Sequence, residues 1–169
     1  MGLFNRKQKE ETKVQWHQDE ILSPVEGKLI PMSQVNDPVF SEEVIGKGAA
    51  VVPARGRIVA PADGVVNLVF RTKHAIGMVT DGGTELMIHI GLETVGLNGK
   101  FFKDYVKEGT HVKAGELLME FQLDQLLKAG YDMTTMIIVC NSGDYPQIKC
   151  RCEDHTKELE PVICLKEAC

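Results

Sequence analysis

The sequence predicts an all-β fold, an antiparallel β-sandwich or flattened barrel. The chain has 169 residues, which is the size of one domain. From residue 21 onward, short alternating or apolar runs are separated at close intervals by Gly, Pro, Asn and Asp. Many short strands with frequent turn signals are typical of sandwiches and barrels. Residues 1–18 are mostly polar and charged, so we interpret them as a flexible leader before a single domain over residues 19–169.

The apolar and alternating runs give the positions of the predicted strands. They lie at residues 25–30, 49–53, 57–60, 65–70, 75–80, 84–90, 117–121, 136–140 and 161–165. Two brief stretches, residues 101–107 and 124–129, have a helical pattern instead. The sequence therefore predicts sheets joined by a few short helical turns.

A repeated turn motif predicts internal duplication. Residues 23–27 (SPVEG) recur as residues 60–64 (APADG), with the two prolines 37 residues apart. Each copy leads into a β-rich run, and its glycine suits a backbone conformation that other residues resist. Two copies of a turn that enters a strand predict two similar half-units packed together, as in a barrel-sandwich hybrid.

Residues 74–89 (HAIGMVTDGGTELMIH) read as a β-hairpin with a histidine at each end. Asp81-Gly82 is a favoured pair for a tight two-residue turn, because both residues tolerate positive φ. That turn places His74 directly across from His89. Residues opposed in this way have Cβ atoms about 4.5 to 5.5 Å apart, close enough for two imidazole rings to share one small ligand.

The two-residue turn also assigns the hairpin side chains to faces. On the face of the histidines it places Ile76, Met78, Glu85 and Met87. On the opposite face it places Ala75, Gly77, Val79, Thr84, Leu86 and Ile88. A three-residue turn that includes Gly83 is the alternative, and it would put His74 opposite Ile90. We prefer the first register because it keeps one face as core and the other as an apolar dish around the histidines.

Composition narrows the classes of partner. The net charge of -5 argues against nucleic acid as the main partner and is compatible with a basic protein. No apolar run approaches the roughly 18 residues that span a bilayer, so we expect no integral membrane segment. The N-terminus also lacks the apolar core of a secretory signal, so we expect a cytoplasmic protein.

Several segments of the chain have a common likeness. They are SPVEGKLIP, DPVFSEEVIGKG, APADGVV, the region around His74, ELMIHIGLETV and VKEGTHVKAGELL, and they cover roughly residues 22–145. Together they resemble the glucose-type enzyme IIA family of the bacterial phosphoenolpyruvate:sugar phosphotransferase system, and ELMIHIGLETV is the most specific of them. The resemblance implies an antiparallel β-sandwich or flattened barrel.

The resemblance also implies a phosphotransferase component with a phosphohistidine intermediate. His89 would accept a phosphoryl group on Nε2 from the histidine phosphocarrier protein and pass it to a cysteine of a sugar-permease IIB domain, transiently at the membrane. His74 would support it, with Thr72 beside it. A neutral imidazole keeps a ring nitrogen free to attack phosphorus at neutral pH. The second ring can donate a hydrogen bond to the phosphoryl oxygens as charge develops.

A relay between proteins needs a docking surface. By resemblance, its apolar contact positions are Val39, Phe40, Val44, Ile45, Phe70, Met87 and Val95. Asp37 and Glu93 would lie at the rim, where acidic side chains suit a basic phosphocarrier.

Two other hypotheses use the same residues. In the first, the domain is a regulatory binding module for transporters or kinases, switched by the charge of about −1.5 to −2 that phosphorylation adds. In the second, it is a zinc peptidase-like barrel, but the H-x-H or H-x-x-x-D pattern for a third ligand does not involve His74 or His89. We therefore expect no resident metal and no required cofactor. A zinc ion shared by the two histidines with a partner's carboxylate is the alternative.

Overall fold

The computed structural model describes residues 14–167. Within this range the chain forms fourteen β-strands, two short α-helices and three 3-10 turns. The strands are β1 (Glu20–Leu22), β2 (Gly27–Ile30), β3 (Lys47–Pro53), β4 (Arg57–Val59), β5 (Gly64–Val69), β6 (Ala75–Thr80), β7 (Glu85–Ile90), β8 (Phe102–Asp104), β9 (His111–Val112), β10 (Leu117–Phe121), β11 (Thr135–Val139), β12 (Lys149–Cys150), β13 (His155–Thr156) and β14 (Pro161–Cys164). The helices are α1 (Pro38–Ser41) and α2 (Leu123–Lys128), and the 3-10 turns are Met32–Gln34, Thr94–Leu97 and Ser142–Asp144.

The strands form antiparallel sheets that pack as a sandwich rather than a closed barrel. The large sheet has the order β13-β2-β3-β11-β7-β6-β5-β9, and two smaller sheets have the orders β1-β14-β12 and β4-β10-β8. Large apolar side chains from all three sheets, among them Ile21, Ile58 and Ile88, share the main hydrophobic core. The predicted all-β sandwich is therefore confirmed, and each of the nine predicted runs overlaps a strand.

The predicted duplication is visible in the hydrogen bonds. The Leu22 amide donates to the carbonyl of Pro61, and the Val59 amide donates to the carbonyl of Pro24, both at 2.9 Å. Each bond joins the strand before one copy of the turn motif to the proline of the other copy. The strand order repeats in the same way, because β13-β2-β3-β11 in one half of the large sheet corresponds to β9-β5-β6-β7 in the other.

The glycines of the two motifs are required for space. Gly27 and Gly64 begin β2 and β5, and neither has a positive φ. A Cβ atom would lie 2.0 Å from the Val52 carbonyl oxygen at Gly27 and 2.3 Å from the Val79 carbonyl oxygen at Gly64. The expected unusual backbone conformation was wrong, and the close approach of the neighbouring strand is the physical reason for glycine.

The β6–β7 hairpin has the alternative register. Ala75 lies opposite His89, and the Ile90 amide donates to the His74 carbonyl at 2.7 Å. The turn has three residues, because the Thr80 amide bonds the Thr84 carbonyl at 2.9 Å. Its last residue, Gly83, has a φ of 87°. A type I turn followed by a left-handed glycine is a common hairpin connection, and here it is formed in preference to the two-residue turn.

This register corrects the assignment of faces. Glu85 and Met87 lie on the face of His89, as predicted, and Leu86 and Ile88 lie in the main core. Ile76 and Met78 are also in the main core, so their assignment to the histidine face was wrong. Their neighbours on β6 take that face instead: Ala75, Gly77 and Val79.

A second hydrophobic cluster covers part of the histidine face of the large sheet. It combines residues of the segment between β2 and β3 with residues of β3, of β11 and of the loop after β7, namely Met32, Val35, Phe40, Ala50, Leu92, Met136 and Ile138. The segment contains α1, which the sequence analysis missed. Its signals were present, because Asp37 caps the helix and Pro38 occupies its first position.

The two predicted helical stretches have different outcomes. Residues 124–129 largely coincide with α2. Residues 101–107 do not form a helix, because Phe102–Asp104 is the strand β8, which pairs with β10. Sheet pairing and the burial of Phe102 in the main core override the local helical pattern. Among residues 14–167, no helix has the length and hydropathy needed to cross a bilayer.

Part of the predicted leader contacts the domain. The Trp16 side chain packs partly buried against the main core, and its Nε1 donates a hydrogen bond to the Glu20 carbonyl at 2.9 Å. Gln18 lies beside Gly82 in the hairpin turn. Residues 1–13 of the predicted leader lie outside the described residues.

Candidate active site

His89 stands near the middle of the large sheet. It is on β7, with Met136 of β11 opposite it on one side and Ala75 of β6 on the other. Its side chain is half-buried on the face that carries the second cluster. Both neighbouring strands are hydrogen-bonded to β7, so the backbone under His89 is held firmly in place.

His74 reaches the same face by a turn rather than by strand alternation. It precedes β6, and Lys73 before it has a φ of 56°. The Lys73 amide donates to the Phe70 carbonyl at 2.8 Å, which closes the turn, and its Nζ lies 3.3 Å from Asp104 Oδ1. The left-handed Lys73 redirects the chain, so His74 approaches His89 although its strand register would place it on the core face.

Four aromatic rings lie in a row across the site. The centroids of His74 and His89 are 5.0 Å apart, with the rings nearly perpendicular at 80°. Phe40 packs on the far side of His89 at 4.7 Å, and Phe70 on the far side of His74 at 5.1 Å. The prediction that the two histidines lie together is confirmed by this geometry, although the register that led to it was wrong.

The ring nitrogens differ in their surroundings. Thr72 Oγ1 lies 2.5 Å from Nδ1 of His74, so Thr72 lies beside the ring as predicted. Nδ1 of His89 is buried and makes no hydrogen bond of normal geometry within the described part of the chain, and the Gly91 backbone is the main-chain group that interacts with the ring. The exposed part of the half-buried His89 ring therefore lies on the other side, at Nε2.

Both imidazoles are held in their neutral form. Burial, together with the neighbouring His74, lowers the pKa of His89 to about 4, although the Gly91 backbone and Asp37 act in the opposite direction. Burial also lowers the pKa of His74. Removal from water disfavours the charged form of an imidazole. Both rings are consequently uncharged at neutral pH, as expected from the sequence.

The residues predicted for docking include two of the four rings, Phe40 and Phe70, and they differ in exposure. Val39, Val44 and Val95 are exposed by 43%, 68% and 52%. Three others are half-buried: Ile45, Phe70 and Met87. Phe40 differs from the rest, because only 6% of it is exposed.

The two predicted rim acids lie beside the site. Asp37 Oδ1 accepts a hydrogen bond from the Val39 amide at 2.9 Å, and this carboxylate is close enough to influence His89. Glu93 is exposed, with a φ of 58°. Together with Asp132, both residues line a cleft of about 440 Å³. The cleft gives this edge of the site a negative character.

Sequence reasoning missed two contributors to the site. Met136 lies directly opposite His89 and is fully buried. Gly91, which acts on His89 through its backbone, has a φ of 76°, and a Cβ atom there would lie 2.6 Å from Thr94 Cγ2. A glycine soon after the histidine strand was a usable signal for Gly91. Met136 could not be placed without the pairing of β7 and β11.

The donor set does not make a metal centre within this chain. Among residues 14–167, no three His, Cys, Asp or Glu side chains come together in a way that could hold a metal ion. His74 and His89 would supply two imidazole ligands, and no other described residue joins them as a third. Their neutral rings place one nucleophilic imidazole beside a second imidazole.

Comparisons with known proteins agree with this geometry. Residues 19–145 match the family described as phosphoenolpyruvate-dependent sugar phosphotransferase system, EIIA 1. The PTS system glucose-specific EIIA component of Oceanobacillus iheyensis is 39% identical over 148 residues, which are 88% of this chain and 87% of that protein. The solved glucose permease IIA of Mycoplasma capricolum is 31% identical, with a TM-score of 0.78 over 90% of this chain and all of that one.

Other relatives are larger proteins. The PTS system beta-glucoside-specific EIIBCA component of Bacillus subtilis is 47% identical over 125 residues, or 74% of this chain. The matching segment is 20% of that relative, so the chain spans about a fifth of its length. The family match, the relatives of both kinds and the shared fold agree, and the chain belongs to the EIIA 1 family of the phosphoenolpyruvate-dependent sugar phosphotransferase system.

Proposed function

We propose that this chain is a phosphoryl carrier in sugar uptake. His89 accepts a phosphoryl group from the histidine phosphocarrier protein and gives it to a cysteine of a sugar-permease IIB domain. The observation that carries the proposal is the pair of contacting neutral histidines, beside a helix that also exposes the apolar side chain of Val39. A relay needs both a nucleophile and a place for protein partners to dock, and both lie on one face.

The transfer to His89 is a nucleophilic displacement at phosphorus. The lone pair of Nε2 forms the new P–N bond, and the P–N bond of the phosphocarrier breaks with its electron pair returning to that imidazole. In the second transfer, a cysteine thiolate of the IIB domain forms a P–S bond and Nε2 of His89 leaves. The low pKa of His89 supports the first step, because the ring needs no separate base to free its lone pair.

His74 interacts with the oxygens of the phosphoryl group and does not attack its phosphorus atom. When the Thr72 hydroxyl donates to Nδ1 of His74, the proton of the neutral ring is on Nε2. That N–H then donates to a phosphoryl oxygen as the loose transition state develops negative charge. Thr72 fixes the tautomer, and His74 stabilises the group in transit.

The IIB partner is part of the proposal because of the relatives. The Bacillus subtilis relative is named an EIIBCA component, so its matching segment belongs to a chain also named for B and C components. We propose that this chain meets its IIB domain at the cytoplasmic side of the membrane. No cofactor takes part in either transfer.

Transfer from a phosphorylated phosphocarrier tests the assignment. The donor is phosphorylated beforehand and freed of enzyme I and Mg²⁺, and the assay contains a chelator. We expect one acid-labile phosphate on the wild-type chain by mass analysis, none on His89→Gln, and normal labelling of His17→Gln, whose histidine is exposed outside the site. Labelled His89→Gln would refute the role of His89, and a need for added metal would refute the transfer without cofactor.

His74→Gln separates the roles of the two histidines. We expect this variant to accept the phosphoryl group, because His89 retains its nucleophile. Passage to a purified IIB domain should slow by about 10²-fold, a size typical of losing one positioned hydrogen-bond donor. If His74→Gln prevents acceptance entirely, the proposed division of roles is wrong.

A further inference from the structure

We propose that Phe40 is a positioning residue for His89. By resemblance this side chain was expected to be a docking contact. The inference rests on the proposed function, since it concerns how the ring of His89 is held for phosphoryl transfer.

The Phe40 side chain is nearly buried, in contrast to the side chain before it. Phe40 is 6% exposed, whereas the neighbouring Val39 is 43% exposed. A partner that docks on the face touches Val39 over a large area and Phe40 hardly at all. Phe40 contacts the second cluster, which includes Met136, the residue directly opposite His89.

The local structure of α1 sets the directions of the Val39 and Phe40 side chains. The Asp37 side chain accepts from the Val39 amide at 2.9 Å, and the Phe40 amide donates to the Asp37 carbonyl at 3.1 Å. Pro38 occupies the first position of the helix. The capped turn thus presents Val39 outward and Phe40 inward, toward His89.

Phe40 contacts the His89 ring directly. The Phe40 ring lies 4.7 Å from His89 on one side, and the His74 ring lies 5.0 Å from it on another. The imidazole is enclosed by these two rings, and its Nδ1 is buried. Rotation about the side-chain bonds of His89 would displace one of the two rings, so the contact keeps Nε2 at the exposed edge.

Two titratable groups act on His89 from the elements packed against it. They are His74, from the turn before β6, and Asp37, from the start of α1. A smaller side chain at position 40 leaves both in place and admits water to the imidazole. We therefore expect the pKa of His89 to rise toward its ordinary value, and the ring to sample orientations that do not lead to transfer.

The experiment compares Phe40→Leu with Val39→Ala. The readouts are kcat and KM for acceptance from the phosphorylated phosphocarrier between pH 5 and 8, and the titration of the His89 ring followed by NMR without any partner. For Phe40→Leu we expect kcat to fall about tenfold with KM nearly unchanged, because orientation is lost rather than docking. The midpoint of the His89 titration should move upward. For Val39→Ala we expect a raised KM and an unchanged titration.

Two further variants make the outcome decisive. Phe102→Leu removes a buried ring of similar exposure, 7%, from the main core, and it should leave the His89 titration unchanged. Phe40→Met keeps most of the volume if Phe40→Leu unfolds. A raised KM with unchanged kcat and titration for Phe40→Leu would show a docking contact and overturn the proposal. The NMR titration of His89 needs no phosphocarrier, so it tests the role of Phe40 even if the relay fails. Failure of the relay would appear separately, as a wild-type chain that is not labelled in the transfer assay.

Discussion

His89 has a property unusual for a surface histidine, a pKa of about 4. The low value follows from burial against the second cluster and from the neighbouring imidazole of His74. Folding therefore selects the neutral ring, and the uncharged nucleophile is available well below neutral pH. Because the same interaction also disfavours protonation of the folded state, it links the site to the stability of the whole domain.

The stability of the fold should depend on pH through His89. The pKa of His89 is lowered in the folded state. Its contribution to stability is therefore fully present above the pKa of the unfolded state, near 6.5, and is lost as the pH falls toward 4. Between pH 7.5 and pH 5, we expect the free energy of unfolding of the wild type to fall by about 1 to 2 kcal/mol more than that of the His89→Gln variant. Urea unfolding at both pH values measures this. The His17→Gln variant serves as the control and should lose as much as the wild type.

At the scale of single residues, sequence alone predicted the participants better than their placement. His74, His89 and Thr72 lie together as expected, because the hairpin joins them over a short stretch of chain. The route of His74 to the site was not predictable, since it depends on a left-handed Lys73. That conformation is uncommon for residues other than glycine. The salt bridge of Lys73 with Asp104 joins the turn to a strand of a different sheet.

At the scale of elements, the hairpin turn decides which side chains face the site. Asp81-Gly82 and Gly82-Gly83 are both plausible turn signals, and local propensity does not separate a two-residue from a three-residue turn. The formed register buries Ile76 and Met78, whereas the rejected one would move both to the histidine face. Burial of whole side chains outweighs turn preference, and it becomes visible only when the neighbouring strands are known.

Substitutions of Gly83 should test the three-residue turn. This residue has a φ of 87°, and nothing lies within 4 Å of the position of a Cβ atom. Gly83→Ala should therefore destabilise the domain by about 1 kcal/mol through backbone strain alone. Gly83→Asn should cost less, because asparagine tolerates the left-handed conformation. Chemical denaturation of both variants gives the comparison, and equal losses would argue against strain as the cause.

At the scale of the whole molecule, the site is a small polar centre inside a larger apolar surface. Val39, Val44 and Val95 are exposed apolar side chains, and the acids Asp37 and Glu93 line a cleft beside the site. This division suits a partner with an apolar patch and a basic rim. The sequence located these residues only through the family resemblance, since an apolar residue on a strand or helix is equally compatible with core packing.

A charge placed on this surface should weaken docking without affecting the fold. Val39→Lys should raise the KM for the phosphocarrier about tenfold, because it buries an unpaired charge in the interface. Val65→Lys is the matched control, since Val65 is 38% exposed on β5, which is separated from the strand of His89 by β6. Its KM should remain that of the wild type. Equal effects of the two lysines in the acceptance assay would place docking elsewhere.

The duplication allows position-by-position comparison of the two halves. Val52 and Val79 are equivalent, because their carbonyl oxygens approach the motif glycines Gly27 and Gly64. Gly48 and Ala75 precede these two valines by the same number of residues, so they are equivalent as well. Gly48 lies opposite Ile138, and Ala75 lies opposite His89. Ile138 is thus the counterpart of His89, and it is 1% exposed.

The unequal lengths of two equivalent connections account for this difference. Between β2 and β3 the chain has residues 31–46, which fold over the sheet and cover Ile138. Between β5 and β6 it has only residues 70–74, too few to reach across His89. The longer connection therefore buries the sheet surface at Ile138, and the shorter one leaves His89 partly accessible. A lengthening of the 70–74 connection would close the site from above, even with every residue that touches His89 unchanged.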